Sequence, residues 1–304
     1  MTRQLVFVHG RAQEHKDATA LKKEWLESLD EGLRKSRLTL PIAETDVKFP
    51  YYGDTLYDLV DGKSPAEAAE IIVRGKAGGA DAEEEQFTRA IMMEIKDQAG
   101  ITDAQLADVA GQDVVEKGPQ NWEWFQAILK AVDQYVPSGS GNSIALFTKD
   151  VYQYLKNKST RDTIDAGVRK TVTKGVETVI VSHSLGTVVS YNVLRQQADD
   201  CGWNIVKFIT LGSPLAVTEI RKTIQKLKPP VRCPACVGSW FNAMDERDVV
   251  ALYPLDTQSF PLNPTMPAIE NKRDVRNKTQ NRHGISGYLD DREVAKRIHD
   301  ALIA

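Results

Sequence analysis

The chain lacks the features that mark several broad classes of protein. None of its apolar runs approaches the roughly 18 residues of a membrane-spanning helix. Its three cysteines, Cys201, Cys233 and Cys236, are too few for a secreted disulfide framework. The apolar stretch from Leu5 to Val8 is too short for the core of a signal peptide. A formal net charge of −3 gives no support for a general nucleic-acid binder. We therefore expect a soluble, cytoplasmic protein.

The 304 residues nevertheless include a normal share of apolar side chains, 41%, arranged as short strand-like and longer helix-like segments. Strands are predicted at residues 4–8, 46–49, 178–181, 206–211, 239–244 and 273–277. Helices are predicted at residues 21–33, 83–98, 122–136, 144–156, 160–173, 185–197 and 292–303. Thr102 and Gln105 have the spacing of a helix capping box. Strands that alternate with helices in this way predict an α/β fold with a mainly parallel sheet, buried on both faces.

The strongest local feature is a β-rich run that enters a Ser-x-Ser-x-Gly motif and leaves it as a helix. The segment reads Val179-Ile180-Val181-Ser182-His183-Ser184-Leu185-Gly186. A sharp turn from strand to helix would lift the Ser184 hydroxyl clear of the sheet and bring the Leu185 backbone N–H beside a reacting carbonyl. The helix N-terminus would stabilise negative charge that develops there. Ser184 is therefore the predicted nucleophile.

This motif resembles the nucleophile elbow of the α/β-hydrolase superfamily, and the chain is similar to its lipase- and esterase-like serine hydrolases. The family more often has glycine at the position of Ser182, but serine is small enough to replace it. The segment Phe7-Val8-His9-Gly10-Arg11 resembles the strand and His-Gly turn of the family's oxyanion hole. The resemblance implies that the Arg11 backbone N–H pairs with that of Leu185 as the two oxyanion donors.

A second resemblance concerns the acid. Trp240-Phe241-Asn242 leads to Asp248-Val249-Val250, which looks like the lipase pattern Trp-x-Asn followed by Asp-x-Val. The resemblance implies that Asp248 is the acid, with Asp245 and, more distantly, Glu246 as alternatives. Ser213, in a Gly-Ser-Pro segment, is an alternative nucleophile that lacks the strand-to-helix context.

The base must follow the acid in this fold, because the chain order is serine, acid, histidine. Only His283 and His299 come after Asp248. His299 falls within a predicted helix, whereas His283 lies in a glycine-bearing loop. The spacing from His283 to Tyr288 also looks lipase-like. His283 is the predicted base, and the alternative is an ordinary surface-loop histidine.

The stretch between Gly10 and Ser184 is longer than in compact members of the family, and its middle has hardly any strand signal. We predict a helical cap insertion at residues 54–174, with residues 1–53 and 175–304 as the α/β-hydrolase core. Apolar residues recur at helical spacing along the insertion, and they either pack between helices or line an acyl-chain groove. These residues are Trp122, Phe125, Leu129, Val132 and Val136.

The predicted activity is hydrolysis of carboxylic esters through an acyl-serine intermediate, as in an esterase, a lipase or a phospholipase. Neither a metal nor an organic cofactor is implied, and the expected partner is a small-molecule or lipid ester rather than a nucleic acid. The same three side chains would also serve an amidase or a thioesterase. A weakly active interaction or sensor module of the same fold is the alternative from another class. Basic residues at 272–282 form either a solvated edge or a contact with an anionic lipid surface or a phosphate-bearing substrate.

Overall fold

The computed structural model describes residues 3–10, 17–52, 82–137 and 139–304. Predictions that fall on residues 11–16 and 53–81, including Arg11 and the start of the middle segment, lie outside the described residues. Within the described part, six strands form one sheet in the order β2-β1-β3-β4-β5-β6, and every pairing between neighbours is parallel. The strands are β1 Gln4–Val8, β2 Val47–Lys48, β3 Glu177–His183, β4 Asn204–Leu211, β5 Trp240–Ala243 and β6 Ile269–Lys272.

The helices flank this sheet, so the predicted α/β class is confirmed. The predicted capping box is also confirmed, because Thr102 Oγ1 accepts from the Gln105 N–H and Gln105 Oε1 accepts from the Thr102 N–H. The α-helices are α1 Ala18–Arg34, α2 Ala82–Gln98, α3 Asp103–Ala110, α4 Gln112–Lys117, α5 Trp122–Tyr135, α6 Gly141–Lys156, α7 Lys158–Arg169, α8 Leu185–Cys201, α9 Thr218–Leu227, α10 Ser286–Leu289 and α11 Arg292–Ile303.

The sixth strand differs from its prediction. Residues 273–277 form no strand, and β6 lies earlier, at Ile269–Lys272, where it pairs in parallel with β5. Its four side chains are exposed or half-buried, because β6 is the last strand of the sheet. Val275 is buried, but it packs against the helices beside β6 without joining a strand ladder. The prediction was wrong because Val275 is apolar but lies outside the strand, whereas β6 itself is polar.

Both faces of the sheet are buried, as the apolar runs predict. Successive side chains of a strand point to opposite faces. In β1, Leu5 and Phe7 belong to the core on the side of α1, α10 and α11, whereas Val6 and Val8 belong to the core that also contains residues of α2 and α5 to α9. The middle helices therefore share one continuous apolar core with the sheet. On the predicted stripe, Phe125, Leu129 and Val132 are buried in this core and its two end residues, at positions 122 and 136, pack partly against it.

Candidate active site

Ser184 occupies a strained turn between β3 and α8. Its φ is 55° and its ψ is −130°, in a region that residues with a side chain rarely adopt. The backbone around it is tied on both sides: the Ser184 N–H donates to Leu211 O at 3.1 Å, and the Thr187 N–H donates to Ser184 O at 2.9 Å. Only 2% of Ser184 is exposed. The sheet and the helix together hold the backbone of Ser184 in place.

Two glycines make this turn possible. A Cβ on Gly186 would lie 2.4 Å from the carbonyl oxygens of Val8 and His9, so α8 can start this close to β1 only because residue 186 has no side chain. A Cβ on Gly10 would lie 2.7 Å from Ser184 Cβ. The close approaches at Gly186 explain why the motif has glycine two positions after the serine.

The His-Gly turn at the end of β1 is held by its own contacts. The His9 ring stacks on the Tyr52 ring with centroids 4.0 Å apart. The Tyr52 N–H donates to His9 Nε2 at 3.2 Å, the Tyr52 hydroxyl donates to His9 O, and His9 Nδ1 donates to Gly10 O at 2.7 Å. These bonds fix the chain direction just before Arg11, the predicted oxyanion donor, which lies outside the described residues.

Three predicted side chains meet at the carboxyl ends of the strands. His283 Nε2 lies 2.7 Å from Ser184 Oγ, and His283 Nδ1 lies 2.7 Å from Asp248 Oδ2. Ser184 follows β3, Asp248 follows β5 and His283 follows β6. The carboxyl ends of parallel strands share one edge of the sheet, which brings together residues separated by 99 and 35 positions in the chain.

Asp248, rather than Asp245, contacts the histidine. The side chain of Asp248 is enclosed, and its Oδ1 accepts the backbone N–H groups of Val250 at 2.9 Å and Ala251 at 3.4 Å. Its Oδ2 accepts from His283 and from the Tyr288 hydroxyl, the latter at 2.7 Å. Four donors thus compensate the desolvation of this buried carboxylate.

Asp245 does not contact His283 and has other partners. It forms a salt bridge with Arg247 and accepts the Asn277 backbone N–H at 2.9 Å. Burial opposes the charged form, but hydrogen bonds from Arg247 and Asn277 outweigh it and hold the pKa of Asp245 below its usual range. Asp245 therefore ties the loop after β5 to the loop after β6. Glu246 is exposed.

Two further residues contact this group, and the sequence did not reveal their parts. Tyr288, on α10, donates to Asp248, and burial together with the nearby Asp248 charge raises the pKa of its hydroxyl well above the usual range. His183, between the two serines of the motif, donates from Nε2 to His283 O at 2.7 Å. The lipase-like spacing to Tyr288 is a signal for the first, whereas a lone histidine at a strand end carries no such signal.

The remaining predicted residues have simpler places. Leu185 is the first residue of α8, so its N–H is among those that a helix leaves without an intrahelical partner. Ser213 Oγ lies 2.9 Å from Thr187 Oγ1 and accepts from the Leu215 N–H, which makes it part of the packing behind the turn. His299 lies on α11, where its Nδ1 is 3.3 Å from Asp300.

A cavity of about 260 Å³ opens beside Ser184. One wall comes from the N-terminal part of α6 and the residues before it, and the facing walls come from the loops that carry Asp248 and His283. Apolar and hydroxyl side chains are mixed in this lining. The lining residues are Glu24, Ser140, Ser143, Ile144, Phe147, His183, Ser184, Val249, Val250, Asn281, His283, Gly284, Ile285 and Ser286.

Acidic neighbours offset part of the basic segment before His283. Lys272 pairs with Asp274, Asp291 and Glu293, and Arg273 Nη2 lies 2.7 Å from Asp256. The positive charge that the sequence concentrates at 272–282 is therefore partly balanced, by Asp274 within the segment and by acids outside it.

Searches with this chain against protein-family models, curated proteins and solved structures each found no match. No group of three or more His, Cys, Asp or Glu side chains within the described ranges is arranged to hold a metal ion. Of the helices that the structure describes, none is long and apolar enough to cross a bilayer. The site's own geometry is consequently the basis for a functional proposal.

Proposed function

We propose that the protein is a serine hydrolase that cleaves carboxylic esters through an acyl-serine intermediate. One observation carries the proposal: an unbroken hydrogen-bond chain runs from the Ser184 hydroxyl through the His283 imidazole to the buried Asp248 carboxylate. A nucleophile, a base within reach of its proton, and a third group that orients the base are the parts that acyl transfer requires.

The roles follow from the hydrogen-bonding capacity of each group. Ser184 Oγ attacks the ester carbonyl carbon while His283 Nε2 takes the hydroxyl proton. Asp248 keeps the other imidazole proton on Nδ1 and stabilises the imidazolium. His283 then gives its proton to the leaving alkoxide, and an alcohol departs. Water repeats the attack on the acyl-serine, with His283 as base, and releases a carboxylic acid and the original serine.

Negative charge on the carbonyl oxygen needs donors on the opposite side from His283. The Leu185 N–H at the start of α8 is one, and the partial positive charge of the helix N-terminus adds to it. The Arg11 N–H is the proposed second. The close approach of Gly10 to Ser184 supports this arrangement, because it brings the end of β1 against the serine.

An α/β-hydrolase fold with residues 54–174 as a cap insertion is the fold that we propose for this site. The all-parallel strand order and the position of Ser184 at a strand-to-helix turn support it. Support for the cap comes from α6, since Ser140, Ser143, Ile144 and Phe147 line the cavity beside Ser184.

The cavity suggests a compact ester. Its volume of about 260 Å³ is close to the lower end of the ~300–1,000 Å³ that ligand pockets usually enclose. Ile144, Phe147, Val249 and Val250 would contact an acyl group, and the serine hydroxyls interspersed among them in the lining would contact a more polar alcohol portion. Long acyl chains would extend beyond these walls.

Active-site labelling tests the proposal directly. A fluorophosphonate probe should modify Ser184, as identified by mass spectrometry of the digested protein, and Ser184→Ala should remove the label. Ser213→Ala is the matched control, because this second buried serine belongs to the packing, and it should label as the wild type does. Labelling that persists in Ser184→Ala, or that is absent from the folded wild type, would refute the proposal.

A panel of p-nitrophenyl esters, from acetate to palmitate, tests the substrate class. We expect the highest kcat/KM for short chains. Val249 is half-buried in the cavity wall, so Val249→Phe should narrow the cavity and lower kcat/KM more for butyrate than for acetate. A preference for palmitate in the wild type would contradict the compact-ester assignment while leaving the reaction type intact.

A further inference from the structure

We propose that His183 is a positioning residue, which holds the loop of His283 so that its imidazole stays between Ser184 and Asp248. This inference rests on the proposed function. The carrying observation is the hydrogen bond from His183 Nε2 to the backbone oxygen of His283, 2.7 Å long, beside a contact between the two rings.

Apart from the Asn277 N–H, which donates to Asp245, the backbone of the His283 loop is otherwise held mainly by hydrogen bonds within the loop. The His283 N–H donates to Asn281 Oδ1 at 3.1 Å, the Gly284 N–H donates to Thr279 Oγ1 at 2.9 Å, and Asn277 Nδ2 donates to Gly284 O at 2.9 Å. These bonds all lie within residues 277–284. They give the loop an internal shape, but they do not set its distance from β3.

The bond from His183 does set that distance. His183 is the last residue of β3, which is paired with β1 on one side and with β4 on the other. It is also the immediate neighbour of Ser184. A side chain on this strand that donates to the backbone of His283 fixes His283 relative to Ser184. It does so independently of the hydrogen bond between the His283 and Ser184 side chains.

The surroundings of His183 keep its imidazole neutral, with the proton on Nε2 that the hydrogen bond to His283 O requires. A backbone carbonyl only accepts, so Nε2 must carry a proton. Burial, followed by the nearby His283, lowers the pKa of His183 well below its usual value, so the ring is neutral at physiological pH. Its centroid lies 4.7 Å from that of His283 and 5.8 Å from that of Tyr288. A neutral ring avoids repulsion when His283 becomes an imidazolium.

Three substitutions separate the hydrogen bond from the packing. His183→Phe and His183→Leu both remove the donor but differ in shape, whereas His183→Gln keeps an N–H donor near the position of Nε2. A displacement of a catalytic group by about 1 Å costs on the order of 100-fold in rate. We expect both donorless variants to lose roughly 10- to 100-fold in kcat with KM within about twofold, and His183→Gln to recover most of the loss.

The measurements are kcat and KM on a short p-nitrophenyl ester, the rate of fluorophosphonate labelling, and the Tm of each variant. His299→Gln, on α11, is the control histidine and should match the wild type. A donorless variant with wild-type kcat, or a folded His183→Gln as slow as Phe and Leu, would overturn the role of His183. If the donorless variants do not fold, the folded Gln variant still decides: near-wild-type kcat supports the proposal and a loss beyond 10-fold contradicts it. Failure of the wild type to label would refute the proposed function instead.

Discussion

Two regions of the molecule each bury an aspartate against a tyrosine hydroxyl. At the sheet edge, Tyr288 donates to Asp248 at 2.7 Å, and between α6 and α7, Tyr154 donates to Asp165 at 2.7 Å. The two carboxylates are equally enclosed, with 2% and 3% exposure. They differ in their other partners. Asp248 also accepts from His283 and two backbone N–H groups, whereas Asp165 also accepts from Asn192 Nδ2 at 3.2 Å.

In the proposed mechanism, the difference lies in the groups to which each buried carboxylate is hydrogen-bonded. Burial raises the pKa of Asp165 to about 6, and hydrogen bonding from Tyr154 offsets only part of the effect. Beyond Asp165, the bonds continue to the amides of Asn192 and Gln196, which hold α7 against α8 and move no proton. Beyond Asp248, they continue to an ionisable base and then to a hydroxyl. The tyrosine–aspartate pair is common to both regions, so the two groups beyond it are what distinguishes the proposed catalytic chain from the packing contact.

The largest effect should come from removing the Ser184 hydroxyl, which ends the hydrogen-bond chain that starts at Asp248. Ser184→Ala should lower kcat for ester hydrolysis by roughly 10⁶-fold, as in other enzymes that lose a serine nucleophile. The side chain lost is small, so Tm should stay close to the wild-type value. Steady-state rates and a thermal melt test both statements, and a variant that retains substantial turnover would show that another residue is the nucleophile.

Exchanging each carboxylate for an amide compares the two regions directly. Asp248→Asn should lower kcat by about 10⁴-fold, because His283 loses the partner that fixes its tautomer. Asp165→Asn should leave kcat within a few-fold, and Asp245→Asn should lower it less than Asp248→Asn does. Ester hydrolysis at saturating substrate measures all three. The comparison fails if the Asp165 variant loses as much activity as the Asp248 variant.

The Tyr154–Asp165 contact between α6 and α7 should affect how the stability of the protein depends on pH. Asp165 has a folded-state pKa of about 6, above the ~3.9 of an unfolded aspartate, so the folded protein binds the proton more tightly. The free energy of unfolding should therefore fall as pH rises from ~4 to ~6, by about 3 kcal/mol from this group. Asp165→Asn should abolish that part of the slope. Urea titrations of both proteins at several pH values measure the difference, and parallel curves would contradict it.

The smallest expected effect is a difference in kcat between the phenylalanine variants of Tyr288 and Tyr154. Tyr288→Phe removes one of four donors to Asp248 and should lower kcat about 10-fold with KM unchanged, since a hydrogen bond to a charged group contributes ~1.5–3 kcal/mol. Tyr154→Phe should leave kcat unchanged and lower the free energy of unfolding instead. Kinetics and urea unfolding of the matched pair provide the test, and equal kcat values for the two variants would contradict the distinction.

Sequence reasoning was most successful where local patterns determine structure. The run before Ser184, with small residues at 182 and 186, predicted a strand-to-helix turn that the structure contains. The spacing of Thr102 and Gln105 predicted their capping box. By contrast, α9 was not predicted, because Ile220 and Ile224 give it only a short apolar stripe between polar residues. The edge strand β6 was misplaced for a similar reason: it is polar, and pairing with β5 determines its position.

The site's finer arrangement depends on contacts that no local pattern encodes. Asp245 and Asp248 are three residues apart and both buried, and the distant side chain of His283 contacts only Asp248 of the two. His183 contacts the backbone oxygen of His283, a residue 100 positions further along the chain. The effect of this contact could not be inferred before the path of the His283 loop was known.

The site also has a consequence for folding, because its parts are so far apart in the chain. Gly10, Ser184, Asp248 and His283 come from four segments that adjoin only when β1, β3, β5 and β6 are all in the same sheet. Long-range contacts of this kind form slowly, since the loops between them must close first. Reactivity of Ser184 is therefore expected only after all four strands have joined the sheet. A fluorophosphonate probe added at intervals during refolding would report when the sheet is complete.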